Sequence, residues 1–555
     1  TAFGRGTIGG AVNVVTKRPT SEIEASLETE VGSFADAKAT AILNAPILDN
    51  DLLNARLVVF GDVSDGFVSF DPVVSDGDVG SEGYGFRLGL ASQLTDDLGL
   101  NASFSYNRAV YDDVNVAFST GLSGSDFQRP GDFLGENTID RFFGRVEATY
   151  ETDFGVFRSQ TSYRFVDTLL FATDEFAGLT LLDTFITQEE ETFSQEIRYE
   201  GDAFNLGGAM GEAAINLGGN FSYARLKSRD LTDPGDDAFR LFGIEAFGAP
   251  LEDDGSNVRF NFDQEVLSYS AFGDVRWRPT PKLEIAAGAR ISIDQVETEA
   301  ATLSFGLTQF VFPESPAGRG RKTFLSVTPQ VSVKYDWSDN LTTYASYSTG
   351  FRPGGFTNPS AGFTEFGSEK VQSFEAGLRA RLLDDKLSLS ISGFYLEYDN
   401  IQVGLREVIN GVVVASIDNA AAARSFGGEV TVMAEPFEGL TLQGAAGLTF
   451  AEFTDFSDAP FVSATGPTTD LTGTTLPNAP VFTANIAAEY EHPKDIMPGV
   501  RAYIRSGYNI RSDFKASTNP AFPEINGFDT LDLRIGLRGA AYSIEAYAER
   551  LFNER

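Results

Sequence analysis

The stretch LDLRIGLR at residues 531–538 places Leu or Ile at every odd position and Asp, Arg or Gly at every even position. Side chains two residues apart point to the same face of a β-strand, so this segment has one apolar face and one polar face. The same alternation recurs along the chain, for example in LEIAAGARISID (residues 283–294) and FEAGLRARL (residues 374–382). The pattern predicts an all-β protein built on one large antiparallel sheet.

The arginines of these segments indicate which solvent each face meets. Arg290, Arg379 and Arg534 all lie opposite the apolar set. An Arg that faced lipid at mid-bilayer would cost about 2–4 kcal/mol, so we assign the charged face to a wet lumen and the apolar face to lipid. No apolar run approaches the roughly 18 residues of a transmembrane helix. The sequence therefore predicts a transmembrane antiparallel β-barrel, the all-β structure that hydrocarbon tolerates.

Short connections rich in Asp and Asn alternate with long ones. The short connections are residues 48–52, 94–98, 337–341 and 383–387, and the long ones include residues 112–137, 227–257 and 298–322. Outer-membrane barrels have short periplasmic turns and longer extracellular loops. Trp277 and Trp337 each precede a short turn, where an aromatic belt at the periplasmic interface is expected.

The number of strands is even in bacterial single-chain barrels, because both ends of the chain lie on the periplasmic side. Counting the alternating segments gives roughly 21 strands, the last at residues 542–551. We therefore expect a barrel of about 22 strands whose final strand lies beyond Arg555, unless one strand has been miscounted.

Composition limits the function. The net charge of −37 argues against a nucleic-acid-binding protein, which would need a basic face. With one His and no Cys, there is little from which to build a catalytic or metal centre. We expect no enzyme activity, no cofactor and no bound metal. The single His492 is predicted in a periplasmic turn, which disfavours haem capture through an axial His.

Residues 4–9 (GRGTIG) match the G-x-G-x-x-G pattern of dinucleotide sites. That site needs a strand before the loop and a helix after it. Residues 11–16 (AVNVVT) instead have the composition of a strand. The cofactor interpretation is therefore rejected.

Several segments together resemble the TonB-dependent outer-membrane transporters. FGRGTIGGAVNVVTKRP (residues 3–19) resembles the closing segment of the plug domain of that family. YASYSTGFRPGGF (residues 344–356) resembles its mid-barrel signature, and residues 373–403 resemble the strand pair that follows. LDLRIGL and AERLFNER (residues 548–555) resemble its penultimate region, although Arg550 stands where the family usually has Asn.

The resemblance implies a domain organisation. Residues 1–20 would be the C-terminal end of the plug, and residues 21–555 the receptor β-barrel without its last strand. The rest of the plug, with the TonB box, is expected upstream of Thr1. The protein would be a monomeric, multi-pass barrel in the Gram-negative outer membrane, surrounded by outer-membrane lipid and lipopolysaccharide.

The resemblance also implies active transport. Such a receptor binds a scarce ligand at its outer loops, and the TonB/ExbB/ExbD energy-transducing complex acts on the plug to open a path through the lumen. Ferric siderophores are the commonest substrate class of the family and are the expected ligand. Oligosaccharides and cobalamin remain alternatives. A passive porin is a further alternative, against which the plug-like residues 3–19 weigh.

Two groups of residues are candidates for ligand binding. Phe351, Arg352, Phe356 and Asn358 follow the mid-barrel signature into an outer loop, where aromatic and Arg side chains suit an aromatic, anionic chelate, although loop packing would also explain them. Arg319 and Arg321 form a basic cluster with Lys322 in the loop predicted after Phe305. They could attract an anionic ferric chelate by charge-assisted hydrogen bonds, with contact to lipopolysaccharide phosphate or plain solvation as alternatives.

Overall fold

The protein is seen in a computed structural model. It describes residues 14–48, 52–66, 69–70, 80–113, 128–129, 135–176, 179–207, 210–234, 257–305, 314–357, 363–409, 412–457, 470–518 and 524–552. Within these ranges no helix is long and apolar enough to cross a membrane.

The strands are, in chain order, β1 Glu24–Val31, β2 Ala37–Leu48, β3 Leu53–Ser64, β4 Ser69–Phe70, β5 Ser81–Gln93, β6 Leu98–Asp113, β7 Gln128–Arg129, β8 Gly135–Thr152, β9 Gly155–Phe176, β10 Leu179–Gly201, β11 Phe204–Asn205, β12 Glu212–Pro234, β13 Asn257–Thr280, β14 Leu283–Phe305, β15 Ser315–Ser338, β16 Leu341–Arg352, β17 Gly355–Phe356, β18 Glu365–Phe366, β19 Glu369–Leu382, β20 Leu387–Ile409, β21 Val412–Ala434, β22 Leu440–Asp455, β23 Phe482–Glu491, β24 Val500–Arg511, β25 Phe514–Lys515, β26 Glu524–Ile525, β27 Phe528–Gly539 and β28 Ser543–Ala548.

One large sheet contains 22 of the described strands. Apart from the two-residue β11, its 21 strands pair antiparallel with their neighbours in chain order, from β1 with β2 to β27 with β28. The hydroxyl of Tyr547 in β28 donates a hydrogen bond to the carbonyl oxygen of Val31 in β1 at 3.4 Å. The first and last strands therefore approach each other, and the predicted all-β barrel and its strand count are confirmed for the described residues.

The two faces of the sheet differ as predicted. On β14 and β15 the outward set includes Ile291 and Leu325, which are 50% and 66% exposed. The opposite face of β14 carries Arg290 and Asp294, both buried. Rows of large apolar side chains that face water would be costly, so the outward face contacts lipid and the polar face lines the lumen.

Aromatic side chains border the apolar band at both ends. Near the extracellular side, the ring of Phe221 lies 6.3 Å from that of Phe193 and 5.2 Å from that of Tyr269. At the other end, Trp277 and Trp337 lie next to short turns, as predicted. Amphipathic rings are enriched at both membrane–water interfaces, and the positions of these aromatic residues agree with that distribution.

The short turns are built as predicted wherever the structure describes them. Leu94 N–H donates to the carbonyl of Leu98 at 2.9 Å across one turn. In the turn at 383–387, Asp384 and Asp385 have φ values of 55° and 65°, which Asp tolerates better than most residues. His492 lies between β23 and β24, at the turn where it was expected.

The predicted long loops are partly wrong, because several strands extend far beyond the membrane. β12 continues to Pro234, and β14 and β15 together cover much of residues 298–322, so that Arg319 and Arg321 lie in a strand. Above the lipid, both faces of a strand meet water. The strands continue to pair there, but their sequences no longer alternate between apolar and polar residues, so the pattern does not predict them. The last strand, β28, is also shorter than the predicted 542–551.

Candidate functional site in the lumen

The extracellular wall has a notch between β15 and β20. These two strands have 24 and 23 residues, whereas β16 and β19 between them have only 12 and 14. β15 pairs with β16 only from Gln330 downward. Above that level, the described part of the connection between β16 and β19 lies in the lumen and forms the short β17–β18 pair. We call its described residues, 353–357 and 363–367, the inward segment.

Aromatic packing holds the inward segment against the lumen face of β13 to β15. The Phe356 and Phe363 rings stack at 5.2 Å with an interplanar angle of 7°. Phe356 is 7% exposed and joins a buried cluster with Val266, Val296 and Phe324. Burying a Phe contributes about 1.5–3 kcal/mol, so this contact anchors the segment.

Two glycines of β15 make room for these rings. A Cβ added at Gly318 would lie 2.6 Å from the Phe363 ring, and one added at Gly320 would collide with the Phe356 ring. Any larger residue would force the rings to move. The glycines therefore form a cradle for the inward segment.

Polar contacts fix the other side of the segment to β19, β20 and β21. Gln402 Nε2 donates to the carbonyl oxygens of Pro353 and Gly367 at 3.0 and 3.1 Å. Asn419 Nδ2 donates to the carbonyl of Gly367 at 3.0 Å. The buried carboxylate of Glu369 accepts the Gln402 N–H at 3.0 Å. The segment is thus tied to the wall on both sides of the notch.

The expected ligand residues do not form one cluster. Phe351 packs against the buried aromatic cluster, Arg352 is exposed, and Phe356 is buried within the cluster. Asn358 lies outside the described residues. Phe356 is buried, which is the environment that the loop-packing alternative predicts for that residue.

Arg319 and Arg321 lie on the outward face of β15, on the same side as the lipid-facing Leu325. Arg319 Nε donates to Glu297 Oε1 at 2.9 Å, and Arg321 Nε lies 3.3 Å from Glu297 Oε2. Both side chains are exposed. The structure therefore separates them from the inward segment and from the lumen.

A cavity of about 940 Å³ lies between residues 14–19 and the lumen wall of β3 to β10. Its lining is rich in Arg and includes Arg18, Arg56, Arg87, Arg145 and Arg198. Glu147 is the acidic residue among the lining groups, and it is 6% exposed. On a chain with a net charge of −37, this cavity concentrates positive charge inside the lumen.

Glu147 connects residues 14–19 to the barrel wall. Its carboxylate lies 3.3 Å from Arg18 Nη2 and 3.8 Å from Arg158 Nη1, and it also pairs with Arg145. One buried carboxylate thus lies within ion-pair distance of three guanidinium groups and balances only part of their charge. Sequence patterning missed this arrangement, because strand alternation predicts the face of Glu147 but not its partners.

We expect Glu147→Gln to loosen residues 14–19, because Gln cannot neutralise Arg18. Cleavage after Lys17 by a lysine-specific protease, followed by mass spectrometry, should become about 5- to 10-fold faster, which corresponds to about 1 kcal/mol. Glu200→Gln is the matched control, since Glu200 pairs with Arg158 and Arg198 on the same wall. Equal cleavage rates in the two variants would show that Glu147 does not hold this segment.

The sequence is similar to a known protein family and to several characterised receptors. The family described as TonB dependent receptor-like, beta-barrel, matches residues 43–549. The metal-pseudopaline receptor CntO of Pseudomonas aeruginosa is 23% identical over 96% of this chain and 71% of its own length. The ferric-pyoverdine 358 receptor of Pseudomonas putida is 23% identical over 74% of this chain and 50% of its own length.

Solved structures show the same architecture. The ferric yersiniabactin uptake receptor FyuA from Yersinia pestis superposes with a TM-score of 0.79 at 18% identity. The match covers 98% of this chain and 77% of FyuA. At this identity the likeness concerns the fold.

Proposed function

Since this chain belongs to the TonB-dependent receptor-like β-barrel family of the outer membrane, we propose that it imports ferric siderophores or closely related metal chelates. Members of the family are receptors and transporters rather than enzymes. One observation carries the substrate class: CntO, named a metal-pseudopaline receptor, matches 96% of this chain.

The lumen supplies what such transport needs. A barrel of about 22 strands is wide enough to hold a plug, and we propose that residues 1–20 are the end of that plug. The TonB/ExbB/ExbD complex would act on the plug from the periplasmic side. The contact of Arg18 with Glu147 would then be one of the contacts that yield when the path opens.

Ligand capture would take place at the extracellular mouth. Arg352 is exposed beside the inward segment, and we propose that it and Phe351 contact the chelate directly. Phe356 would act as the anchor of the segment. The exposed Arg319 and Arg321 face outward above the lipid, so we propose that they contact lipopolysaccharide phosphates instead of cargo.

Uptake of labelled chelates tests the proposal. The full-length protein, expressed in an iron-starved host that lacks its own receptors, should accumulate labelled iron from a ferric siderophore. Accumulation should disappear when TonB is deleted from that host. If cobalamin or an oligosaccharide accumulates while every ferric chelate fails, the substrate assignment is wrong. If uptake persists without TonB, the protein behaves as a porin.

A further inference from the structure

The β24–β27 pair carries arginines on its lumen face, and most are already neutralised. The Arg538 guanidinium lies 4.5 Å from the Tyr503 ring centroid, and its Nη1 lies 2.7 Å from Glu491 Oε2. Arg534 Nη1 likewise lies 2.9 Å from Glu545 Oε1. In both cases a carboxylate of the wall accompanies the guanidinium, so these residues stabilise the barrel.

Arg511 lies at the extracellular end of β24. Like Arg538, it stacks on aromatic rings, but no carboxylate of the described residues accompanies its guanidinium. Its guanidinium carbon lies 4.5 Å from the Phe514 ring centroid and 4.3 Å from the Phe528 ring centroid. Within the described part of the chain, no carboxylate lies within ion-pair distance of Arg511, and its Nε is buried without a hydrogen-bond partner. Its positive charge is therefore oriented but not neutralised.

The surrounding loop holds this arrangement in place. β25, which contains Phe514, pairs with β26. Asp513 Oδ1 accepts the N–H of Gly527 at 2.5 Å, and Asn478 N–H donates to the carbonyl of Lys515 at 2.7 Å. A guanidinium that is fixed before binding loses less entropy when it binds an anion.

We propose that Arg511, with Phe514 and Phe528, is an anion-recognition site at the extracellular mouth of the lumen. Its ligand is the carboxylate or phenolate edge of an aromatic metal chelate. The planar guanidinium presents paired N–H donors to such oxygens, and the flanking rings contact the aromatic part of the chelate. Lipid phosphates do not reach this site, because Arg511 lies on the lumen face of β24, opposite the outward-facing and exposed Ile504.

This inference rests on the proposed function and deepens it. The test compares two probes on the full-length protein in detergent: an anionic ferric tris-catecholate, and a ferric tris-hydroxamate that carries a free ammonium group. Loss of a charge-assisted hydrogen bond in Arg511→Gln should weaken binding of the catecholate about 10- to 100-fold. Binding of the cationic hydroxamate should change less than about 3-fold. Arg511→Lys should give an intermediate affinity, because it keeps the charge and loses the planar donors.

Arg538→Gln is the matched control, since Arg538 is also stacked on a ring and lies on the same face of the same strand pair. It should leave the affinity for the catecholate unchanged. Equal losses for both probes in Arg511→Gln would overturn the inference, as would an unchanged catecholate affinity in a folded Arg511→Gln or Arg511→Lys protein. Wild-type protein that binds neither probe and imports no ferric chelate would instead refute the proposed function.

Discussion

Val331→Arg is expected to destabilise the folded barrel by about 2–4 kcal/mol, the cost of an Arg on the lipid face at the bilayer midplane. Val331 lies on the outward face of β15, where it is 40% exposed and pairs with Ala287 and Tyr347. It is six positions from Trp337 in the lower belt and six from the lipid-facing Leu325. A guanidinium introduced at position 331 therefore lies several residues along the strand from water in both directions.

The neighbouring position provides the control. Gln330 is exposed on the lumen face, so Gln330→Arg adds the same charge to a wet surface and should change stability by less than about 0.5 kcal/mol. Urea titration of each variant refolded in lipid vesicles measures the free energy of unfolding, and heat-modifiable migration in gels reports the folded fraction. Equal stability of the two variants would contradict the assignment of the outer face to lipid.

The membrane-spanning part of the fold could be predicted from sequence because lipid on one side and water on the other impose a period of two. The stretch at 531–538 falls entirely within β27, and the turns at 94–98 and 383–387 separate strands as expected. The family resemblance, drawn from several short motifs, is confirmed by a match over residues 43–549.

The extracellular part could not be predicted in the same way. Residues 315–323 (SPAGRGRKT) combine Pro, Gly and basic residues and do not alternate, yet they belong to β15. Their conformation depends on the ladder with β14, for example Gly320 opposite Thr298. Such pairing between distant residues overrides local propensity.

The candidate site could likewise be predicted only in part. The sequence pointed to Phe351, Arg352 and Phe356 as ligand candidates. The structure places Phe351 and Phe356 in one aromatic cluster beside the notch and leaves Arg352 exposed. Their different environments depend on Gly318 and Gly320, a cradle more than 30 residues earlier in the chain. Arg511 was missed because only Phe514 is near it in sequence, and Phe528 meets it only when β27 pairs with β24.

Phe356→Ala is expected to release the inward segment while the barrel stays folded. Truncation of a buried Phe costs about 3–5 kcal/mol, and Phe356 is 7% exposed in its cluster. The loss should be confined to the segment, because the strand ladders do not depend on this ring. Hydrogen–deuterium exchange in the backbone of residues 353–357 and 363–367 should accelerate about 100-fold or more, since each 1.4 kcal/mol corresponds to a factor of ten.

Gly320→Val tests the same contact from the opposite side. Val is favoured in strands, so the β14–β15 pairing should persist. The introduced valine side chain would, however, occupy the space of the Phe356 ring. Exchange in the inward segment should therefore accelerate in this variant as well. Gly507→Val is the control, because a Cβ at Gly507 in β24 meets no atom within 4 Å. If neither Phe356→Ala nor Gly320→Val changes exchange in the inward segment, the hydrogen bonds from Gln402 and Asn419 hold that segment, and the aromatic contact is not its main support.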